Sequence, residues 1–127
     1  MRRLVAPVPR GFVPRLFDFD GPPVLGFPAN WPVTGDGSIV ALPTPGLPAP
    51  ATRATSVRTK KGDMLLAGDV TYDLPALKAR RNQGFIADVA AHRKTLDRVL
   101  SLVRSGVAYL PSHDPASPGL PAGWPPH

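Results

Sequence analysis

Apolar and polar positions alternate or recur in five stretches of this chain, all between residues 38 and 110. Ser38-Ile39-Val40-Ala41-Leu42, just after the turn signal Asp36-Gly37, is a short apolar strand candidate. Thr52 to Thr59 alternates loosely, with β-branched Thr55, Val57 and Thr59. After the turn Lys61-Gly62-Asp63 comes the buried-strand run Met64-Leu65-Leu66-Ala67. The two runs predict a hairpin whose second strand delivers Gly68-Asp69 to its end. Asp73-Leu74-Pro75 predicts a helix entry, with proline in the first turn. Phe85, Val89, Leu96, Val99, Leu100 and Val103 then recur at helical spacing, with Asp88, Arg93, Lys94, Asp97, Arg98 and Arg104 mostly on other faces. Ser105-Gly106 ends that helix, and Val107-Ala108-Tyr109-Leu110 predicts a strand stopping at Pro111-Ser112-His113-Asp114-Pro115.

Proline distribution sets the outer limits. The 127 residues include 18 Pro and 12 Gly, and the prolines crowd residues 6–50 and 111–126, so regular structure occupies only part of the chain and packed structure is expected over about 52–110. The chain divides into a Pro-rich irregular arm over 1–37, a domain unit over 38–115 that contains this stretch, and an expected disordered tail over 116–127. Phe12, Leu16, Phe17, Phe19 and Phe27 are expected to anchor the arm along a surface.

Composition narrows the chemistry. With no cysteine there are no disulfides and no thiolate ligands, so a transition metal must be held by His, Asp or Glu. The only histidines are His92, His113 and His127. His92 lies inside the long helix, where a partly exposed position is expected, and His127 ends the tail. The net charge of +6 raises the question of nucleic acid, but the basic residues are mostly dispersed and no recognition motif is present. A solvated basic surface is the expectation. The apolar run after Met1-Arg2-Arg3 is broken by Pro7 and Pro9, and no apolar span is long enough for a membrane, which predicts a cytoplasmic protein.

Two polar residues directly follow apolar strands, Asp69 and His113, where side chains of layered α/β proteins converge on ligands. A carboxylate and an imidazole meeting there form an ordinary pair of zinc ligands. Equally, Asp69 suits a turn and His113 a solvent-facing position.

The wording around these residues carries a resemblance. Thr34-Gly35-Asp36-Gly37-Ser38-Ile39-Val40, Pro43-Thr44-Pro45-Gly46, Leu65-Leu66-Ala67-Gly68-Asp69-Val70-Thr71-Tyr72 and Leu110-Pro111-Ser112-His113-Asp114-Pro115 occur in that order. Together they resemble the C-terminal half of acyl-homoserine lactonases of the metallo-β-lactamase superfamily, over about residues 17–116. The resemblance implies an α/β fold, one half of an αβ/βα sandwich. It implies zinc, two ions in the family, with Asp69 as the bridging aspartate and His113 as the last metal-binding histidine. Tyr72 corresponds to the tyrosine that contacts the lactone carbonyl or leaving group. The implied substrate is a small-molecule lactone or ester.

The chain departs from that family at two places. The family's His-x-His-x-Asp-His segment has no counterpart in this sequence, and Leu47 stands where a metal-binding histidine follows the Thr-Pro-Gly turn. The expectation is a hydrolase half that is inactive alone and that self-associates or pairs with an N-terminal half-domain. The alternatives are a non-enzymatic binding remnant of the fold and, further off, a basic nucleic-acid-binding module.

Overall fold

The computed structural model describes residues 10–13, 15–48, 53–82 and 86–116. Strands β1 (Trp31–Pro32), β2 (Ile39–Pro43), β3 (Arg53–Thr59) and β4 (Gly62–Gly68) are followed by helices α1 (Leu74–Lys78) and α2 (Val89–Arg104) and strand β5 (Ala108–Pro111). They form one five-stranded sheet in the order β1-β2-β3-β4-β5. Neighbours are antiparallel except β4 and β5, which the helical connection makes parallel.

The expected hairpin is present, with Thr59 opposite Gly62 and the turn at Lys60-Lys61. Thr59 Oγ1 closes it, donating to the Gly62 carbonyl at 2.7 Å and accepting from the Lys61 amide at 3.1 Å. In-phase Leu42, Ala54, Leu65 and Ala67 point to one face and are buried with Leu96, Val99, Leu100 and Leu102 of α2 in a single core. Fully burying each such leucine or valine stabilises by about 1.5–3 kcal/mol.

Both helices begin as their sequences dictate. Asp73 caps α1 by accepting from the Ala76 amide at 2.7 Å, and Asp88 caps α2 by accepting from Ala91 at 3.0 Å. At the other end of α2, Ser105 Oγ donates to the Leu102 carbonyl at 2.7 Å, and Gly106 takes φ +101°.

Three expectations change. Val89 is 48% exposed rather than part of the apolar stripe, because as the first residue of α2 it lies beyond the edge of the sheet-facing stripe. Phe85 lies outside the described residues, as do 117–127 of the expected tail. His92 is fully buried, not partly exposed, and occupies the stripe position one turn before Leu96. In the expected arm, Phe27 is core rather than surface, at 1% exposure. A Leu25-Gly26 turn, both residues at positive φ, bridges Val24 to Phe27 and folds that ring inward. Phe12 and Leu16 do remain exposed, and Phe17 stacks on Trp31 with centroids 4.1 Å apart.

The opposite sheet face carries Ile39, Val57, Met64 and Ala108 in one row and Ala41, Thr55, Leu66 and Leu110 in the next. These two rows are uncharged, with Leu66 42% exposed, and Arg53, opposite Pro43, stands in the row beside them on the same face. No helix among the described residues is long and apolar enough to cross a membrane.

Candidate functional site

Parallel pairing brings the ends of β4 and β5 to the same edge of the sheet. The register runs Leu66 to Leu110 and then, through a bulge, Gly68 to Pro111. The Ser112 amide continues the ladder by donating to the Gly68 carbonyl at 3.0 Å. Asp69 and His113 therefore emerge side by side. His113 Nε2 is 3.2 Å from Asp69 Oδ1, and both side chains are more than half exposed. Ser112 Oγ donates to the same Asp69 oxygen at 2.5 Å. The Tyr72 ring meets the His113 ring edge to face, with centroids 5.0 Å apart. The three residues singled out from the sequence form one cluster.

A buried layer holds the loop that presents them. Thr71 Oγ1 donates to the Asp73 carbonyl at 2.8 Å and lies 2.6 Å from Tyr109 Oη, which donates to it. Burial raises the Tyr109 hydroxyl to about 12, so it stays a donor at any neutral pH. From the helix side, His92 Nε2 lies 3.1 Å from the Val70 carbonyl oxygen. A carbonyl only accepts, so that nitrogen carries the proton. Asn82 Oδ1 lies 3.2 Å from Nδ1 on the other side of the ring. Asp114 is part of the same scaffold, accepting from the Leu74 amide at 3.4 Å and from Ala116 at 2.8 Å. With Val70 and Thr71 pinned inward, Asp69 and Tyr72 are left outward.

The Thr44-Pro45-Gly46 turn is docked on α2. The Gly46 carbonyl accepts from the amides of Ala87 (2.9 Å) and Asp88 (3.2 Å), and Thr95 Oγ1 donates to the Pro45 carbonyl at 3.0 Å. Leu47, directly after it, is partly buried against the hydrophobic core. Its side chain is used for packing.

Two ligands at about 2.0–2.1 Å from a tetrahedral zinc lie about 3.3 Å from each other. The 3.2 Å between Asp69 Oδ1 and His113 Nε2 matches that bite. The number of donors does not match. Among the described residues no group of three or more His, Cys, Asp or Glu side chains converges. The pair alone lacks the closed shell that retains an ion.

Sequence reasoning passed over Ser112 and His92. Ser112 is signalled only by adjacency to His113. His92 gives no local sign of burial, because its partners, Val70 and Asn82, come from outside α2.

The sheet with its β-α-β5 crossover defines a mixed α/β unit. No family model matches the chain, and no curated protein matches it in sequence. Among solved structures it is similar to an N-acyl homoserine lactone hydrolase, a structure with the product N-hexanoyl-L-homoserine bound at its catalytic metal centre. The TM-score is 0.57 at 18% identity, over 71% of this chain and 35% of that one. The chain thus spans about a third of the length of the protein it matches. At 18% identity the likeness is one of fold alone.

Proposed function

We propose that this chain is the C-terminal half of a metallo-β-lactamase-fold hydrolase of the N-acyl homoserine lactonase type. It contributes Asp69, His113 and Tyr72 to a site whose remaining metal donors come from outside this sequence. The observation that carries the proposal is the meeting of those three side chains at the shared end of β4 and β5. The fold likeness to a lactone hydrolase supports it.

Each residue has a role its chemistry allows. Asp69 presents a carboxylate oxygen that Ser112 and His113 already orient. His113 presents a ring nitrogen at the same point. Tyr72, 43% exposed, offers a phenolic hydroxyl to the carbonyl or leaving oxygen of a lactone or ester. Zinc chemistry belongs to the completed site, and no step of it is assigned to this chain alone. Two apolar rows on the outer sheet face, including exposed Leu66, suit the packing of a second half-domain.

The test has two parts. The DNA upstream is read in all frames for a His-x-His-x-Asp-His segment, and its polypeptide is co-expressed with this chain. Ring opening of N-hexanoyl homoserine lactone is then followed by proton release. The expected result is no turnover above buffer by the isolated chain with zinc, and zinc-dependent turnover by the pair. Asp69→Asn and His113→Gln should each remove that turnover. Turnover by the isolated chain, or no such segment upstream, overturns the proposal.

One observation favours a second reading, a non-enzymatic binding module: Leu47, partly buried, packs against the core where the resemblance implies a ligand. That reading requires N-hexanoyl homoserine lactone to raise the melting temperature in the presence of a chelator.

A further inference from the structure

We propose that the groove between the Leu25-Gly26 turn and α2 binds a small carboxylate with an apolar body, its charge held by Arg98. The inference goes beyond the hydrolase reading, because no residue lining the groove belongs to the cluster at the ends of β4 and β5. Three observations lead to it.

The first is shape. Two open cavities of about 320 and 410 Å³ lie beside α2, and Leu25, Gly26 and Arg98 line both. Pro23, Phe27 and Pro28 wall the first and Leu102 lines the second, so most of the surface offered to a ligand is apolar. Concave sites of this size, apolar with a few polar groups, suit a small organic molecule better than a bare ion.

The second is charge. Arg98 is partly buried and has no ion pair among the described residues. The neighbouring carboxylate, Asp97, is occupied, because Arg80 Nη2 reaches both its oxygens at 2.8 and 3.0 Å. That pair is neutral as a unit, which leaves the Arg98 guanidinium as the uncompensated charge of the groove. Its planar fork matches the two oxygens of a carboxylate.

The third is a supply of spare donors. Val24 and Phe27 exchange both backbone hydrogen bonds of the turn, at 3.0 and 2.8 Å. The two central residues, Leu25 at φ +51° and Gly26 at φ +76°, keep amides that donate to no carbonyl among the described residues. Ser101 follows Arg98 by three positions and so shares its face of α2, and its hydroxyl has no partner among the described residues. A carboxylate on Arg98 thus has donors on both walls that no existing bond uses.

The test uses the isotope-labelled full-length chain, titrated with sodium octanoate and followed by amide and guanidinium NMR. Octanoate should give saturable shifts centred on Leu25, Gly26 and the Arg98 side chain. Octanamide has the same body without the charge, and acetate has the charge without the body. Each should bind about tenfold more weakly or worse. Arg98→Met keeps the apolar stem and should weaken octanoate by about tenfold, and Arg98→Lys should recover only part of that loss. Ser101→Trp fills the groove from an exposed helix position and should abolish the shifts with Arg98 intact. Circular dichroism checks each variant for folding, and the ratio of octanoate to octanamide affinity in the unaltered chain decides alone should a variant unfold. Equal binding of octanamide overturns the proposal, as does equal binding of acetate or inorganic phosphate. So do shifts centred on the outer sheet face, or no saturable shift in the folded chain. None of these outcomes bears on turnover by the co-expressed pair, so this proposal and the hydrolase reading fail separately.

Discussion

The buried ring of His92 reaches out of α2 to the carbonyl of Val70, 3.1 Å from Nε2, and so ties the helix to the residue directly after Asp69. Leucine at 92 keeps most of the volume and leaves that carbonyl without its donor. An unpaired buried polar group costs about 1–3 kcal/mol. His92→Leu is expected to lower the unfolding free energy by about that amount in urea titration. The Asp69 and Tyr72 amide resonances should shift in the folded variant, because their loop loses its inner attachment.

Gly46 approaches α2 more closely than any side chain permits. A Cβ there would lie under 3.0 Å from the His92 backbone nitrogen and from the Asp88 carbonyl, and φ is +98°. Both neighbours are helix backbone and cannot swing aside. Gly46→Ala should destabilise by about 1–3 kcal/mol from the backbone conformation alone, with the clash added. A lowered urea midpoint with unchanged slope is the expected signature.

Tyr109 makes stability depend on alkaline pH. Its pKa rises from 10.0 to about 12 on folding, chiefly through burial. A folded value above the unfolded one favours the native state fully below pH 10.0. That contribution disappears as pH climbs through about 12. The difference is worth about 2–3 kcal/mol. Tyr109→Phe should remove this tyrosine-specific share of the alkaline loss. At neutral pH it should cost about 1 kcal/mol for the bond to Thr71.

Asp36 works in the opposite direction. Bonds from the Ser38 amide and hydroxyl and from Thr34 hold its carboxyl at about 2, below the ordinary 3.8. A depressed folded value stabilises the turn above pH 3.8, and the effect is lost as pH falls through about 2. Carbon-detected NMR titration should place the Asp36 midpoint near the lower value. Thr34→Val, which deletes one donor, should raise it.

The elements that read clearly from sequence share one property: their signals are local. The β3-β4 hairpin follows from a period of two on each side of a turn, and α2 from a period of 3.6 with Asp88 and Gly106 at its ends. The misjudged residues all depend on distant partners. Val89 fits the helical period, yet whether the sheet reaches over it is not encoded in α2. Phe27 reads as one aromatic among prolines, and only the turn at Leu25-Gly26 directs it to the core. His92 reads as an ordinary helical histidine because Val70 and Asn82 lie elsewhere in the chain.

Asp69 and His113 show where that boundary falls in the candidate site. By itself the sequence determined that each follows a strand, since apolar runs and the residues ending them are written contiguously. Their meeting was decided by tertiary structure. Ser112 bonds to Asp69, 43 positions away in the chain, because β5 runs parallel to β4. That pairing is selected by the helix packed over the sheet, whose burial outweighs the entropy of closing so long a loop.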